Sequence, residues 1–123
     1  MPDPAAEPLD PSGRHVLIAE TNPLIAMDVA ATICGWGADP LLYYELDSTR
    51  RHAAVETAFA ALIDVPDAHP VETELIDRLR ASRVPTVLTT AGRKEFIADT
   101  FPDLAIFEKP VDYAALQQWF AQL

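Results

Sequence analysis

The stretch FAALID, residues 59–64, is the most apolar run in the chain, and it stops at the carboxylate of Asp64. A run of small and branched apolar residues that ends in an acid is typical of a buried central strand carrying one charged side chain to the edge of a sheet. Three other apolar segments end in a similar way, at Glu20, Thr90 and Lys109. The carboxyl ends of strands in an open parallel sheet line one crevice, where ligands bind. We therefore expect these side chains to meet, with Asp64 as the reactive group.

Strand-type and helix-type patterns alternate five times along the chain. The first strand is predicted at 16–19 and the second at 41–44, the latter at a sheet edge because Pro40 precedes it. The second helix is predicted over 48–57 and the fourth, which is short, over 94–100. Such alternation indicates an α/β fold with parallel strands, right-handed crossovers and helices on both faces of the sheet. The commonest strand order for five such units is 2-1-3-4-5.

The first helix shows the clearest boundaries. Asn22 is its predicted cap, and Pro23 fits its first turn. Apolar residues at i, i+4 and i+8 predict its buried face, and these are Ile25, Val29 and Ile33. Cys34, the only cysteine, excludes an internal disulfide, and we expect it to pack in the core.

Length and composition indicate one domain. The chain has 123 residues, of which half are apolar, so a single core can form without disulfides or structural metal. Residues 1–13 contain four prolines and are predicted to be a disordered arm, which leaves 14–123 as the domain. The formal charge of −10 disfavours binding to nucleic acid. No apolar segment has the length of a membrane span, and no secretory signal is recognised, so the expected location is the cytoplasm.

The residues at the strand ends suggest phosphoryl transfer to a carboxylate. Asp64 can act as a nucleophile and form an aspartyl phosphate. Such a reaction needs a divalent cation, and Mg²⁺ prefers carboxylates, a carbonyl and waters. Glu20 and Asp64 are the candidate carboxylate ligands, and the backbone carbonyl of Pro66 is the candidate third ligand.

Two further groups can stabilise the transferred phosphoryl oxygens. Lys109 supplies a fixed positive charge. Thr90 supplies a hydroxyl, and the N–H group of Ala91 supplies a backbone donor on another side.

Four segments together resemble the receiver domains of two-component response regulators. They are residues 16–25 (VLIAETNPLI), 62–65 (LIDV), 84–91 (VPTVLTTA) and 107–110 (FEKP). The likeness covers residues 14–123, and its short fourth helix and Glu-Lys-Pro end are similar to atypical single-domain receivers. The resemblance implies a flavodoxin-like (βα)5 sandwich in three layers, a signalling role rather than an enzymatic one, and a cis bond between Lys109 and Pro110.

The resemblance also implies partners. A sensor histidine kinase or phosphotransfer protein would supply the phosphoryl group. A protein target would read the signal on the face formed by the fourth helix, fifth strand and fifth helix. Nucleic acid and membrane are not expected partners, and the chain is expected to be a monomer or a weak homodimer.

The chain departs from the family pattern at three places. Thr21 stands where the family has a second acid, so we expect weakened Mg²⁺ binding. Ile106 occupies the position of the aromatic switch residue, and the neighbouring Phe107 faces the other way. The glycine usually found before the third helix is missing.

Three hypotheses follow. The first is a stand-alone receiver that is phosphorylated on Asp64 and acts through a protein partner. The second is a degenerate pseudo-receiver that binds proteins without phosphorylation, which the residues Thr21 and Ile106 favour. A third, a nucleotide-binding or flavodoxin-like enzyme, is disfavoured because no glycine-rich phosphate loop follows any strand.

Overall fold

The structure is a computed structural model that describes residues 14–65 and 70–123. The predicted arm at 1–13 and the Pro66 carbonyl lie outside these residues. The strands are β1 (His15–Ala19), β2 (Asp39–Leu42), β3 (Ala60–Asp64), β4 (Thr86–Thr90) and β5 (Ala105–Glu108). The helices are α1 (Pro23–Gly35), α2 (Ser48–Thr57), α3 (Pro70–Ala81), α4 (Lys94–Thr100) and α5 (Tyr113–Ala121), and a 3-10 turn covers Tyr43–Glu45. Among the described residues, no helix has both the length and the apolar character needed to span a bilayer.

The five strands form one parallel sheet in the order β2-β1-β3-β4-β5, which confirms the predicted α/β fold. β3 lies at the centre of the sheet, and every residue from Ala60 to Asp64 is buried. β1 and β4 flank it, with Ala19 paired with Ile63 and Asp64 paired with Thr89. The carboxyl ends of these strands therefore lie side by side at one edge of the sheet.

Alternation along the strands divides the core into two layers. One layer contains Leu17, Ile63 and Leu88 and packs against α2, α3 and α4. The other contains Ile18 and Leu62 and packs against α1 and α5. Burying this much apolar surface on both faces contributes roughly 25 cal/mol for each Å² removed from water, which holds the three layers together.

Polar side chains cap the first turns of three helices, and the cap at Asn22 was predicted. Asn22 Oδ1 accepts hydrogen bonds from the backbone N–H groups of the first turn of α1. Asp47 caps α2, and Asp112 caps α5 in the same way. Each cap satisfies donors that the helix itself leaves unpaired.

The second strand was predicted wrongly at 41–44. The observed strand begins at Asp39, includes Pro40, and ends at Leu42. It is an edge strand, where the missing N–H of proline is tolerated. The chain then turns because Arg51 of α2 donates hydrogen bonds from its guanidinium to the carbonyls of Tyr43 and Tyr44.

The prediction that Cys34 packs in the core was also wrong, since its side chain is exposed. The buried stripe of α1 includes Ala26, Val29 and Ile33. One further residue rotates the helix by about 100°. Cys34 therefore lies outside that stripe.

Candidate functional site

A cluster of three charged side chains lies at the carboxyl end of the sheet. Lys109 Nζ is 2.5 Å from Glu20 Oε1 and 2.7 Å from Asp64 Oδ1. The side chains are 6% exposed for Glu20, 8% for Asp64 and 14% for Lys109. The two carboxylates share one ammonium in a largely dry environment, so the cluster carries a net charge of −1. We call these three residues the acid–lysine cluster.

The backbone fixes each member of the cluster from a different strand. Asp64 ends β3, and the following amide, Val65 N–H, donates to the carbonyl of Thr89 at 2.8 Å. Glu20 follows β1, and its Oε2 accepts a hydrogen bond from Asn22 N–H at 3.0 Å. Lys109 follows β5. Residues up to 89 positions apart along the chain are thus brought together by strand ends rather than by a local motif.

Lys109 is held by its backbone as well as by its side chain. Its N–H donates to the carbonyl of Thr90 at 2.7 Å. The peptide bond that joins it to Pro110 is cis. The contacts of the ammonium with Glu20 and Asp64 place it beside the carboxyl ends of β1 and β3.

Burial and charge shift the pKa values of two members. Desolvation is the largest influence on the pKa of Asp64 and raises it. The hydrogen bond from Lys109 lowers this pKa, and the nearby negative charge of Glu20 raises it. For Lys109, desolvation alone would lower the pKa, but hydrogen bonds to Asp64 and Glu20 and their charges together outweigh it and raise the pKa. Lys109 is therefore a stable ammonium at neutral pH.

Thr90 and Ala91 lie at the end of β4, beside the cluster in the sheet order. Thr90 is fully buried, and its Oγ1 accepts a hydrogen bond from Gly92 N–H at 2.9 Å. In the structure its hydroxyl thus closes the turn that follows β4. Ala91 is exposed at the start of that turn. Their predicted roles toward a phosphoryl group stay predictions.

Thr89 is a neighbour of the site that the sequence analysis did not single out. It lines a small cavity of about 20 Å³ together with Glu20, Asp64 and Lys109. The sequence could have identified Thr89, because side chains alternate between the two faces along a strand. Thr89 lies two residues after Val87 and therefore lies on the same face of the sheet as Val87. Val87 belongs to the core layer on the α1 and α5 side.

The donor set for a cation is small. Among residues 14–65 and 70–123, no group of three or more His, Cys, Asp and Glu side chains is arranged to hold a metal ion. Two carboxylates are present, and both have one oxygen bonded to Lys109. Thr21, which is exposed, follows Glu20 and adds no charge. Two carboxylates, a carbonyl and water molecules are oxygen donors that suit Mg²⁺. A bound cation would compete with the ammonium of Lys109 for the oxygens of Glu20 and Asp64.

Two further cavities lie on either side of the first turns of α1. One, of about 330 Å³, is lined by residues of α1 and by the segment 109–113. The other, of about 290 Å³, lies between α1 and the 3-10 turn and includes Glu20 and Thr21 in its lining. Across the first cavity Tyr113 donates a hydrogen bond to Asp28 Oδ2 at 2.6 Å. This bond ties the start of α5 to α1.

No protein-family model matches the chain, and no curated protein matches it. Similar solved structures exist. SdrG from Pseudomonas melonis Fr1, solved in a BeF3-activated conformation, is 22% identical with a TM-score of 0.66, and the match covers 87% of this chain and 92% of that one. A CheY-like receiver domain protein from Methanospirillum hungatei JF-1 is 19% identical with a TM-score of 0.66, over 89% of this chain and 91% of that one.

The response regulator PhyR from Brucella abortus is also similar, at 18% identity and a TM-score of 0.67. The match covers 96% of this chain but only 50% of PhyR, so this chain spans about half the length of that protein. At these identities the likeness concerns the arrangement of strands and helices. The chain has the fold of the CheY-like receiver domains of response regulators.

Proposed function

We propose that the chain is a receiver that accepts a phosphoryl group on Asp64 and passes the signal on through contacts with a separate protein. Under this proposal it is a signalling domain of the cytoplasm rather than an enzyme. The observation that carries the proposal is the acid–lysine cluster, in which Lys109 contacts both Asp64 and Glu20. Its three members come from three strand ends, and the turn carrying Thr90 and Ala91 lies next to them.

The chemistry assigns a distinct task to each side chain. A carboxylate oxygen of Asp64 attacks phosphorus, the new O–P bond forms, and the bond from phosphorus to the donor breaks with its electron pair leaving on the donor. Lys109 is already within 2.7 Å of this carboxylate, so its charge is in place for the incoming oxygens. The N–H of Ala91 and the hydroxyl of Thr90 are the candidate partners for other phosphoryl oxygens.

Glu20, Asp64 and the carbonyl of Pro66 are the residues that would hold Mg²⁺. When bound, Mg²⁺ supplies positive charge that offsets the repulsion between two carboxylates and an incoming phosphoryl group. Asn22 N–H fixes one oxygen of Glu20, which orients this carboxylate before any ligand arrives.

Incubation with Mg²⁺ and acetyl phosphate tests the proposal. We expect the intact mass to rise by one phosphoryl group and acetate to be released. Asp64→Asn should abolish the gain, whereas Asp99→Asn, at an exposed position on α4, should leave it unchanged. A gain that survives Asp64→Asn, or no gain in the unmodified chain, would contradict the assignment.

The second candidate function is a pseudo-receiver that binds proteins without phosphorylation. Two observations favour it. Thr21 leaves the site with two carboxylates, and Lys109 already bonds to both of them. Beryllofluoride with Mg²⁺ separates the two functions, since a competent site would shift the amide signals of Asp64 and its neighbours in an NMR spectrum. An unchanged spectrum, together with no mass gain, would favour the pseudo-receiver.

The proposed donor is a sensor histidine kinase or a phosphotransfer protein, and the proposed target binds the face formed by α4, β5 and α5. Phe96 on α4 is 69% exposed, which is unusual for a large aromatic side chain and favours a protein contact there. Ile106 and Phe107 of β5 pack into opposite core layers. An aromatic residue therefore occupies the α1 and α5 side of this strand, and an aliphatic one occupies the side facing α4.

A further inference from the structure

The helix α1 carries apolar side chains on its solvent side as well as on its core side. The exposed residues along its outer side are Leu24, Met27, Ala31 and Cys34, which we call the outer stripe. Leu24 is 78% exposed and Met27 is 64% exposed. A helix that is apolar all round is normally covered on all sides. The outer stripe therefore indicates a contact that the single chain does not make.

The spacing of the outer stripe is that of a helix pair. Its members follow one another at intervals of three, four and three residues. These intervals are those of the a and d positions in the seam of a two-stranded coiled coil. The core-facing residues Ala26, Val29 and Ile33 fall outside these positions, so the two contacts do not compete.

The order of sizes along the stripe fits an antiparallel copy of itself. When two such helices cross a two-fold axis near residue 29, Leu24 of one copy faces Cys34 of the second copy. Met27 then faces Ala31 of the second copy, so a large side chain meets a small one at every level. A parallel pair would instead place large against large at one end and small against small at the other, which leaves a gap. A self-complementary patch of this kind is what an isologous dimer requires.

Charge also favours a second copy of this chain as the partner of the outer stripe. The chain has a formal charge of −10, so most contacts between two copies would bring acids together. The helices α1 and α5 carry one charged residue between them, Asp28. Its carboxylate accepts a hydrogen bond from Tyr113, which draws it toward α5. The α1 side is thus a part of the described surface on which two copies bring few charges together.

We propose that the outer stripe binds the outer stripe of a second copy of this chain, forming an antiparallel α1–α1 pair about a two-fold axis. This dimer does not depend on phosphorylation of Asp64. A helix of 13 residues is about 20 Å long, which is a short contact beside the roughly 800 Å² per partner of a standard interface. The dimer is therefore weak and forms at high protein concentration.

Sedimentation equilibrium over a wide range of concentration tests the proposal. Met27→Glu places a charge in the seam and should weaken dimerisation at least tenfold. Ala53→Glu makes the same kind of change at an exposed residue of α2, on the opposite face of the sheet, and should leave the dissociation constant unchanged. Asp28→Asn removes the one acid near the axis and should tighten the dimer. A wild-type chain that remains monomeric at about 1 mM would overturn the proposal and leave the stripe to the helix of another protein.

Cross-linking tests the direction of the pair. Leu24→Cys in the chain that retains Cys34 should give disulfide-linked dimers under oxidation, because the antiparallel arrangement brings these positions of the two copies together. Within one chain the two positions are about 15 Å apart along the helix, too far for an internal disulfide. Leu24→Cys combined with Cys34→Ser should not cross-link. Efficient cross-linking of that double variant would show a parallel pair and contradict the proposal.

Discussion

Replacing Lys109 by methionine removes the one ammonium that two buried carboxylates share. Lys109→Met keeps the length of the side chain but deletes its contacts to Glu20 at 2.5 Å and to Asp64 at 2.7 Å. Both acids are less than one-tenth exposed, so water does not replace the lost partner. Breaking a buried ion pair by removing one member costs about 3 to 5 kcal/mol. Because Asp64 can take up a proton in the variant, we expect a loss near the lower end, about 3 kcal/mol at pH 7.

Urea unfolding followed by the fluorescence of Trp36 and Trp119 measures this loss. Lys94→Met is the matched control, because Lys94 is exposed and its replacement should change the free energy of unfolding by less than about 0.5 kcal/mol. The difference between wild type and Lys109→Met should narrow as the pH falls toward the carboxyl range. Burial already raises the pKa of Asp64, and without the ammonium this group binds a proton still more readily in the folded state.

Mg²⁺ should restore much of the stability of Lys109→Met, since a divalent cation can take the place of the ammonium between the two carboxylates. At a Mg²⁺ concentration 100 times the dissociation constant, the gain is about 2.7 kcal/mol. We therefore expect the variant to bind Mg²⁺ more tightly than the wild-type chain. A loss below about 1 kcal/mol, or equal Mg²⁺ affinities, would refute the view that Lys109 neutralises the two acids.

Three further changes have defined outcomes. Thr21→Asp adds the missing acid beside Glu20 and should raise the affinity for Mg²⁺ at least tenfold, as measured by calorimetry. The reason is that opposite unit charges 4 Å apart attract by about 4 kcal/mol near a protein surface. An unchanged affinity would place residue 21 away from the cation. Burial and the hydrogen bond to Asp28 raise the pKa of Tyr113 to about 12, so the stability that this bond contributes is present below pH 10 and lost between pH 10 and 12. Tyr113→Phe should remove the step near pH 12 in a phenol absorbance titration, and persistence of that step would contradict the assignment. Asp47→Ala deletes the cap of α2 and should lower the free energy of unfolding by about 1 kcal/mol in urea, and no change would mean that the cap is dispensable.

The central part of the fold was predictable because its strands are continuous apolar runs. The run ending at Asp64 can be buried on both faces only in the middle of a layered sheet, and it is found there. The cap at Asn22 likewise follows from local chemistry that the chain carries in sequence. Such features do not depend on distant partners.

The errors arose where distant partners decide the structure. The end of β2 is set by hydrogen bonds from Arg51 to the carbonyls that follow it, and nothing within residues 39–45 encodes that contact. Cys34 was misplaced because counting apolar neighbours ignores helix phase. The sequence analysis expected Lys109, Glu20 and Asp64 to meet, but it did not predict that the ammonium would bond to both carboxylates at once, because side-chain reach across the strands is settled only by the packed sheet.

Lys109 is held through both its backbone amide and its side-chain ammonium, which affects how easily the β5 edge of the sheet opens. β5 is an edge strand, and edge strands ordinarily lose their amide protons to solvent early because few neighbours hold them. Here the residue that follows β5 is fastened through its amide to Thr90 and through its ammonium to acids on β3 and β1. Local opening of β5 at this end therefore breaks the ion pairs of Lys109 with Glu20 and Asp64. We expect the amide protons of β5 to exchange at rates closer to those of the central strands than to those of an ordinary edge strand.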